Sequence, residues 1–308
     1  MSFVYKSDPV RGRIWAEVFA REAPGIDFRI WPDIGDPGAV RFLAAWEPPQ
    51  GLADRLPRLE LLFSTGAGVD QFDFAALPPD LPVVRMIEPG IVAGMVEYVC
   101  WAVLGLHRDM PRYQAQQCEA RWQALPVQPA TRRSIGVLGL GSLGQAVLKQ
   151  LRGFGFDCAA WSRSRHQLDG VRCHAGPEEL PAFLAGTQIL VCLLPLTEDT
   201  RGFLDASLFA ALPQGACLVH VGRGPQLVQH DLLAALDAGH IAHAVLDVTE
   251  PEPLPAEHPF WRHPAISLTP HIASMTQPET AALAVIENLR RHATGQPLHG
   301  LVDRRLGY

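Results

Sequence analysis

The sequence predicts an α/β protein of two doubly wound parallel-sheet units, a smaller one and a larger one. Three observations carry that prediction. Strand-like apolar runs alternate with helical stretches along most of the 308 residues, the rhythm that a parallel sheet with crossover helices imposes. A long apolar helical stretch over 95–115 interrupts the rhythm. A Gly-Leu-Gly-Ser-Leu-Gly segment at 139–144 stands between an apolar run and an amphipathic stretch.

The first unit reads as helix 11–21, strands 26–31 and 41–46, helix 52–58, strand 59–64, helix 70–76 and strand 83–86. The 95–115 helix follows, with Val96, Val99, Val103 and Leu106 at helical spacing. Gly90 to Leu106 is the most apolar segment, yet Glu97 interrupts it and it is short for a membrane span. A buried helix between domains is expected there, and no membrane partner. The second unit supplies strands at 134–138, 157–161, 188–194, 216–221, 243–248 and 265–268, about the count of a full doubly wound sheet. Residues 277–293 read as a final helix, with apolar Ala281, Leu283, Ala284, Ile286 and Leu289. If that helix returns to the first unit, the chain crosses between units twice. The expected domains are 1–94 with 275–308, a smaller flavodoxin-like sheet for substrate, and 95–274, a Rossmann sheet for a dinucleotide. A double hinge and a cleft would join them.

Hydrophobic residues make up 48% and charged residues 19% of the chain, as in a packed globule. The net charge of −6 argues against nucleic acid or an anionic membrane as partner. Six cysteines lack C-x-x-C spacing, so neither a disulfide framework nor a zinc site is expected, and a cytoplasmic location is. The N-terminus lacks the apolar core of a signal peptide. Twelve histidines show no H-E-x-x-H pattern, and no metal is expected.

The 139–144 segment follows the run Ser134-Ile135-Gly136-Val137-Leu138 and opens a helical stretch with Ala146, Val147, Leu148 and Leu151. In that context Gly139 permits a tight turn, Gly141 admits a pyrophosphate to the backbone, and Gly144 lets helix pack on strand. The helix N-terminus then directs N–H groups at the phosphates. The next strand ends in Trp161-Ser162-Arg163-Ser164-Arg165. A protein preferring NAD usually has Asp or Glu there for the ribose 2′-hydroxyl. Guanidinium groups and hydroxyls suit a 2′-phosphate instead. NADPH is the expected cofactor, with NADH as a possible second.

Later strand ends carry Val221-Gly222-Arg223-Gly224, Leu246-Asp247-Val248 leading to Glu252, and Thr269-Pro270-His271. In a doubly wound sheet such ends converge beside the nicotinamide. Arginine binds a carboxylate and polarises a carbonyl. Histidine exchanges a proton near neutral pH, and a glutamate fixes its tautomer. Each residue alone has a plain structural reading, but the set of Arg223, Glu252 and His271 suggests catalysis.

These motifs, with Gly66-Ala67-Gly68-Val69-Asp70, Leu194-Pro195-Leu196-Thr197 and Glu252-Pro253-Leu254-Pro255, resemble the D-isomer-specific 2-hydroxyacid dehydrogenase family over essentially the full chain. The Trp161–Arg165 segment and the ending Val302-Asp303-Arg304-Arg305-Leu306-Gly307-Tyr308 are similar to its bacterial NADPH-preferring subgroup that reduces glyoxylate and hydroxypyruvate. The resemblance implies NADPH-dependent reduction of small 2-keto acids. It implies that Arg223 holds the substrate's carboxylate and keto oxygen, that His271 donates the proton, and that Glu252 pairs with His271 and raises its pKa. It implies that the N–H groups of Ala67, Gly68 and Val69 bind the carboxylate, while Trp46 and Met275 shape the pocket; Trp46 is equally readable as a core aromatic. Asp247 would face the nicotinamide carboxamide, and Leu194 and Pro195 would flank the adenosine. Ser142, Leu143, Thr200, Val221, Gly222 and Ser274 complete the implied cofactor contacts. A homodimer is implied, using the 95–125 region with Trp101 and Trp122. His220 departs from the small or amide residue usual before the arginine, and Val221 from the usual alanine. Two alternatives stand beside this reading: a reductase of a bulkier 2-keto acid such as phenylpyruvate, and a non-catalytic nucleotide-sensing scaffold.

Overall fold

The computed structural model of the chain describes residues 1–304. Its contacts divide it into Met1–Ile91 with Met275–Tyr308, and Val92–Ser274. The last four residues of the 302–308 ending lie outside the described residues.

The first unit holds strands β1 (Ser2–Lys6), β2 (Asp27–Ile30), β3 (Val40–Ala45), β4 (Leu61–Ser64) and β5 (Val83–Val84), with helices α1 (Pro9–Glu22) and α2 (Leu52–Arg55). The strands form one sheet in the order β2-β1-β3-β4-β5, parallel throughout. Both faces are covered, as an all-parallel sheet requires. Val4, Leu43, Leu62 and Val83 are successive register partners and build one core. Phe3 and Tyr5 point the other way, into an aromatic cluster with Trp15, Phe19, Phe28 and Phe63. The sequence reading contains no strand at 2–6, although β1 lies inside the sheet. Its Phe3-Val4-Tyr5 is a strong β-former, but five residues at a terminus set up little periodicity. The helix expected at 70–76 is a correction. Those residues form turns, with Ala76 N–H donating to the Asp73 carbonyl and Ala75 N–H to the Asp73 side chain. An aspartate that serves its own neighbouring N–H groups competes with a helix.

Helix α3 (Pro89–His107) passes from the first unit's residues to the second's. It is long and apolar enough to cross a membrane, with mean hydropathy 1.6, yet 39% of that window is buried within the structure. The single helix expected over 95–115 is two. Asp109 takes φ +56, and α4 (Met110–Cys118) begins after it. Pro111, in the first turn of α4, cannot donate into a continuing helix.

The second unit carries β6 (Ser134–Leu138), α5 (Ser142–Gly153), β7 (Asp157–Ser162), β8 (Arg172–Ala175), α6 (Gly176–Ala185), β9 (Ile189–Cys192), α7 (Ala206–Ala211), β10 (Ala216–His220), α8 (Gln229–Asp237), β11 (Ile241–Leu246) and β12 (Ile266–Leu268). The seven strands run β12-β11-β10-β9-β6-β7-β8, all parallel. Strand order reverses between β6 and β9, the switch point where such sheets bind ligands. β8 is an edge strand of sequence Arg-Cys-His-Ala, without the apolar run that marks the others. The first unit ends with α9 (Pro278–Ala293), whose contacts with α1 are among the densest in the fold.

Candidate active site

At the switch point the glycine segment has the geometry of a phosphate cradle. Gly139 takes φ +102, and a Cβ at Gly144 would fall 2.0 Å from the Gly139 carbonyl oxygen. Only glycine allows α5 to start so close to β6. Nothing would meet a Cβ at Gly141, so the backbone there is open. No side chain caps the N-terminus of α5, where Ser142, Leu143 and Gly144 make the first turn. A dinucleotide's pyrophosphate fits this arrangement, an open backbone beneath uncapped N–H groups.

After β7, Arg163, Ser164 and Arg165 are exposed, and the chain there carries no acidic residue. Ser162 does not join them: it is buried, and its hydroxyl donates to the Ser164 carbonyl at 2.8 Å, closing the turn. Arg165 pairs with Glu179 of α6, whose other oxygen accepts the Ala175 N–H. The hydrogen bonds from Arg165 and Ala175 hold Glu179 below the usual carboxylate range. The following loop walls an open hollow of about 400 Å³ that Arg165, His166 and Cys173 help to line.

Three strand ends on the other side of the switch point bring Arg223, Glu252 and His271 into one unit. Gly224 is what allows the arginine turn. A Cβ there would fall 1.9 Å from the carbonyl oxygen of Thr249, so the turn lies directly against the loop leading to Glu252. Val221 N–H donates to Cys192, and a Cβ at Gly222 would collide with the Gln226 amide. Gln226, fully buried, accepts the Arg223 N–H at 2.7 Å and donates to the carbonyls of Leu194 and Pro195 at 3.1 and 3.0 Å. Thr200 donates to Pro195 and accepts the Thr197 N–H, fixing the same turn. Cofactor-side and substrate-side residues of the sequence reading are thus tied through a glutamine it did not name.

His271 Nδ1 lies 2.8 Å from Glu252 Oε2, and Glu252 Oε1 accepts the Thr249 N–H at 3.0 Å. Burial pushes the Glu252 carboxyl up, but the hydrogen bonds from His271 and Thr249 outweigh it, and the net shift is downward. Glu252 is therefore an anion facing the ring, so Nδ1 carries a proton and Nε2 is presented outward. His271 itself takes φ +55. Asp247, 2% exposed, holds that turn: its carboxylate accepts Thr269 Oγ1 at 2.6 Å and the N–H groups of Ile272 and Ala273 at 2.8 Å. Its carbonyl takes the His271 N–H at 2.8 Å. Tyr98 of α3 donates to Thr269 Oγ1 at 2.5 Å and completes the chain; burial pushes the phenol up to about 12, so it stays protonated. Ser274, partly buried, is the last residue of the unit. Asp247 thus anchors the turn of His271, a role the sequence reading did not give it.

The remaining expected residues belong to the first unit. Ser64 donates to the Gly68 carbonyl at 2.8 Å and accepts from Gly66 N–H and Gln71, shaping the 66–71 loop. The N–H groups of Ala67, Gly68 and Val69 donate no hydrogen bond to the described residues. Trp46, 44% exposed, packs its ring on Gly66. It is not the core aromatic of the alternative reading. Met275 is exposed. Among the described residues no group of three or more His, Cys, Asp or Glu is placed to hold a metal ion.

Comparison with known proteins identifies the family. Residues 100–273 match the family model described as the D-isomer specific 2-hydroxyacid dehydrogenase, NAD binding domain. Glyoxylate/hydroxypyruvate reductase A of Yersinia enterocolitica is 40% identical over 314 residues, with all of both chains covered. The Serratia proteamaculans protein of the same name is 40% identical over 300 residues, 96% of each chain. Among solved structures, a D-isomer specific 2-hydroxyacid dehydrogenase from Xanthobacter autotrophicus Py2 in complex with NADPH and MES superposes with TM-score 0.95 at 42% identity, covering 100% of this chain and 99% of that one. An NADPH-dependent glyoxylate/hydroxypyruvate reductase from Sinorhizobium meliloti, in complex with NADP and sulfate, gives TM-score 0.92 at 33% identity with the same coverage.

Proposed function

The chain belongs to the D-isomer specific 2-hydroxyacid dehydrogenase family, and from that premise we propose that it reduces small 2-keto acids with NADPH, glyoxylate to glycolate and hydroxypyruvate to D-glycerate. The observation that carries the reading is the 2.8 Å pair between His271 and an ionised Glu252, in the same unit as Arg223. Relatives named for this reaction, and neighbours crystallised with NADPH or NADP, support it.

NADPH, when bound, supplies the hydride. The N-terminus of α5 with Gly139, Gly141 and Gly144 would hold its pyrophosphate, and Arg163, Ser164 and Arg165 its 2′-phosphate; NADH, lacking that phosphate, is the poorer donor. Arg223 binds the substrate carboxylate and draws electron density onto the keto oxygen. His271, doubly protonated and paired with Glu252 through Nδ1, gives the Nε2 proton to that oxygen. The carbonyl becomes a hydroxyl, and the imidazole is left neutral. The N–H groups of Ala67, Gly68 and Val69, which donate to none of the described residues, suit a carboxylate, and the large ring of Trp46 favours short substrates. Exposed Trp101 and Trp122 support a homodimer, which light scattering on the purified protein tests. Six free cysteines support a cytoplasmic location.

Steady-state reduction of glyoxylate and hydroxypyruvate by NADPH tests the reading, with His271→Ala and Arg223→Ala beside the parent. We expect each variant to lose roughly a hundredfold or more in kcat/KM while NADPH still binds. Undiminished turnover in His271→Ala would sink the mechanism.

A further inference from the structure

We propose that His220 is a positioning residue for Arg223, fixing the backbone from which the guanidinium reaches the keto acid; this rests on the function read for Arg223 above. His220 ends β10 and is fully buried. Its Nε2 lies 2.9 Å from the Arg223 carbonyl oxygen. A carbonyl only accepts, so Nε2 carries the ring's proton. Nδ1 is then a buried acceptor, and it has no hydrogen-bond partner among the described residues. Burial pushes the ring's pKa down to about 4 against the opposing hydrogen bond to Arg223, with the charge of Arg223 adding to the shift and that of Glu252 opposing it. His220 is therefore neutral in ordinary buffers and adds no positive charge beside the guanidinium.

The N–H of Arg223 is taken by Gln226 Oε1 at 2.7 Å. Two fully buried side chains, one before the arginine and one after it, thus grip its two backbone polar groups, and the Arg223 carbonyl also accepts the Gln226 N–H at 3.1 Å. Gln226 is tied in turn to the turn after β9. Among the described residues His220 has no such second tie. Its register partners are Cys192 and Leu246, and an apolar side chain would pack between them without leaving an unpaired nitrogen. What the imidazole supplies that an apolar residue cannot is the single hydrogen bond to Arg223. That imbalance points to the placement of the arginine, not to fold stability, as its role.

Three substitutions separate the two. Gln places an amide nitrogen where Nε2 of histidine lies. Asn places it where Nδ1 lies, and Leu has none. Glyoxylate kinetics with NADPH, NADPH affinity by fluorescence titration and thermal midpoints are measured for His220→Gln, His220→Asn, His220→Leu and Arg223→Ala. We expect His220→Leu and His220→Asn to raise KM for glyoxylate and to lower kcat/KM by roughly tenfold or more. We expect His220→Gln to stay within about threefold of the parent. NADPH affinity should hold in all three, and the midpoint of His220→Leu should not fall. Parent-like kcat/KM in His220→Leu beside an inactive Arg223→Ala overturns the proposal. So does a Gln variant as impaired as the Leu variant, or activity losses that track losses of thermal midpoint. Parent-like activity in Arg223→Ala would instead overturn the role read for the arginine. If His220→Leu does not fold, the difference between Gln and Asn decides.

Discussion

His271 stands in the left-handed region at φ +55, a conformation that disfavours a side chain by about 1–2 kcal/mol. The Asp247 carboxylate and carbonyl hold it there through Thr269, Ile272, Ala273 and the His271 N–H itself. The ring is thereby aimed at Glu252. Because Glu252 titrates below its ordinary value of 4.5, it is ionised above that pH and loses its charge only as the pH falls further. Acidification to about pH 5 should therefore leave the pair intact. Glu252→Gln removes the charge that supports the protonated imidazole, and kcat should fall by roughly tenfold to a hundredfold with NADPH affinity unchanged; a pH–rate profile of the variant checks this. Arg163 and Arg165 are exposed just after β7, where a dinucleotide fold meets the ribose. Replacing both by alanine should raise KM for NADPH by roughly tenfold or more and KM for NADH by less than about threefold. An equal effect on both cofactors would return the stretch to ordinary surface.

Among the elements, α3 and α9 share one cap. Glu88, 2% exposed, accepts the N–H groups of Gly90 at 2.5 Å and Ile91 at 2.8 Å at the start of α3. It also accepts the Gln277 N–H at 3.1 Å and Thr280 Oγ1 at 2.6 Å at the start of α9. One buried carboxylate thus serves two helix N-termini that lie far apart in sequence. Glu88→Gln turns an amide donor toward those donors and should lower stability by at least about 2 kcal/mol. Urea unfolding followed by circular dichroism measures it, and a loss under half that figure would dismiss the shared cap. Sequence periodicity found α3 and α9 but not this joint, since a glutamate before a proline looks like any loop acid. It likewise found the apolar strands and missed β8, whose pairing rests on the edge position and not on its own residues.

At the scale of the whole molecule, burial of two histidines links stability to pH. Burial pushes His220 and His243 each from 6.5 to about 4, with nearby His263 adding to the shift of His243. The unfolded chain binds their protons near pH 6.5, while the folded chain binds them only near 4. Between those values the unfolded state holds more protons, so stability falls as the pH falls. Each histidine withdraws up to about 3 kcal/mol across the interval. Denaturant midpoints at about pH 7 and about pH 4.5 should differ accordingly, and His243→Leu should flatten the slope. A midpoint indifferent to pH through this range would show that neither ring is held neutral by the fold.

The sequence by itself determined the parallel α/β layering and the glycine turn at the switch point, and it named Arg223, Glu252 and His271 as candidates. Those features are local: a run of apolar residues makes a buried strand, and glycines mark where backbone must come close to something else. It also showed that Arg163, Ser164 and Arg165 follow β7 where an NAD-preferring fold has an acid. Only the tertiary structure decided which polar groups answer one another across distance. Gln226 tying the Arg223 turn to Leu194, Tyr98 reaching Thr269 and Glu88 reaching the start of α9 are pairings between distant strands and turns. A buried polar group must find a partner, but the chain alone does not say which, because strand order and crossover geometry choose the neighbours.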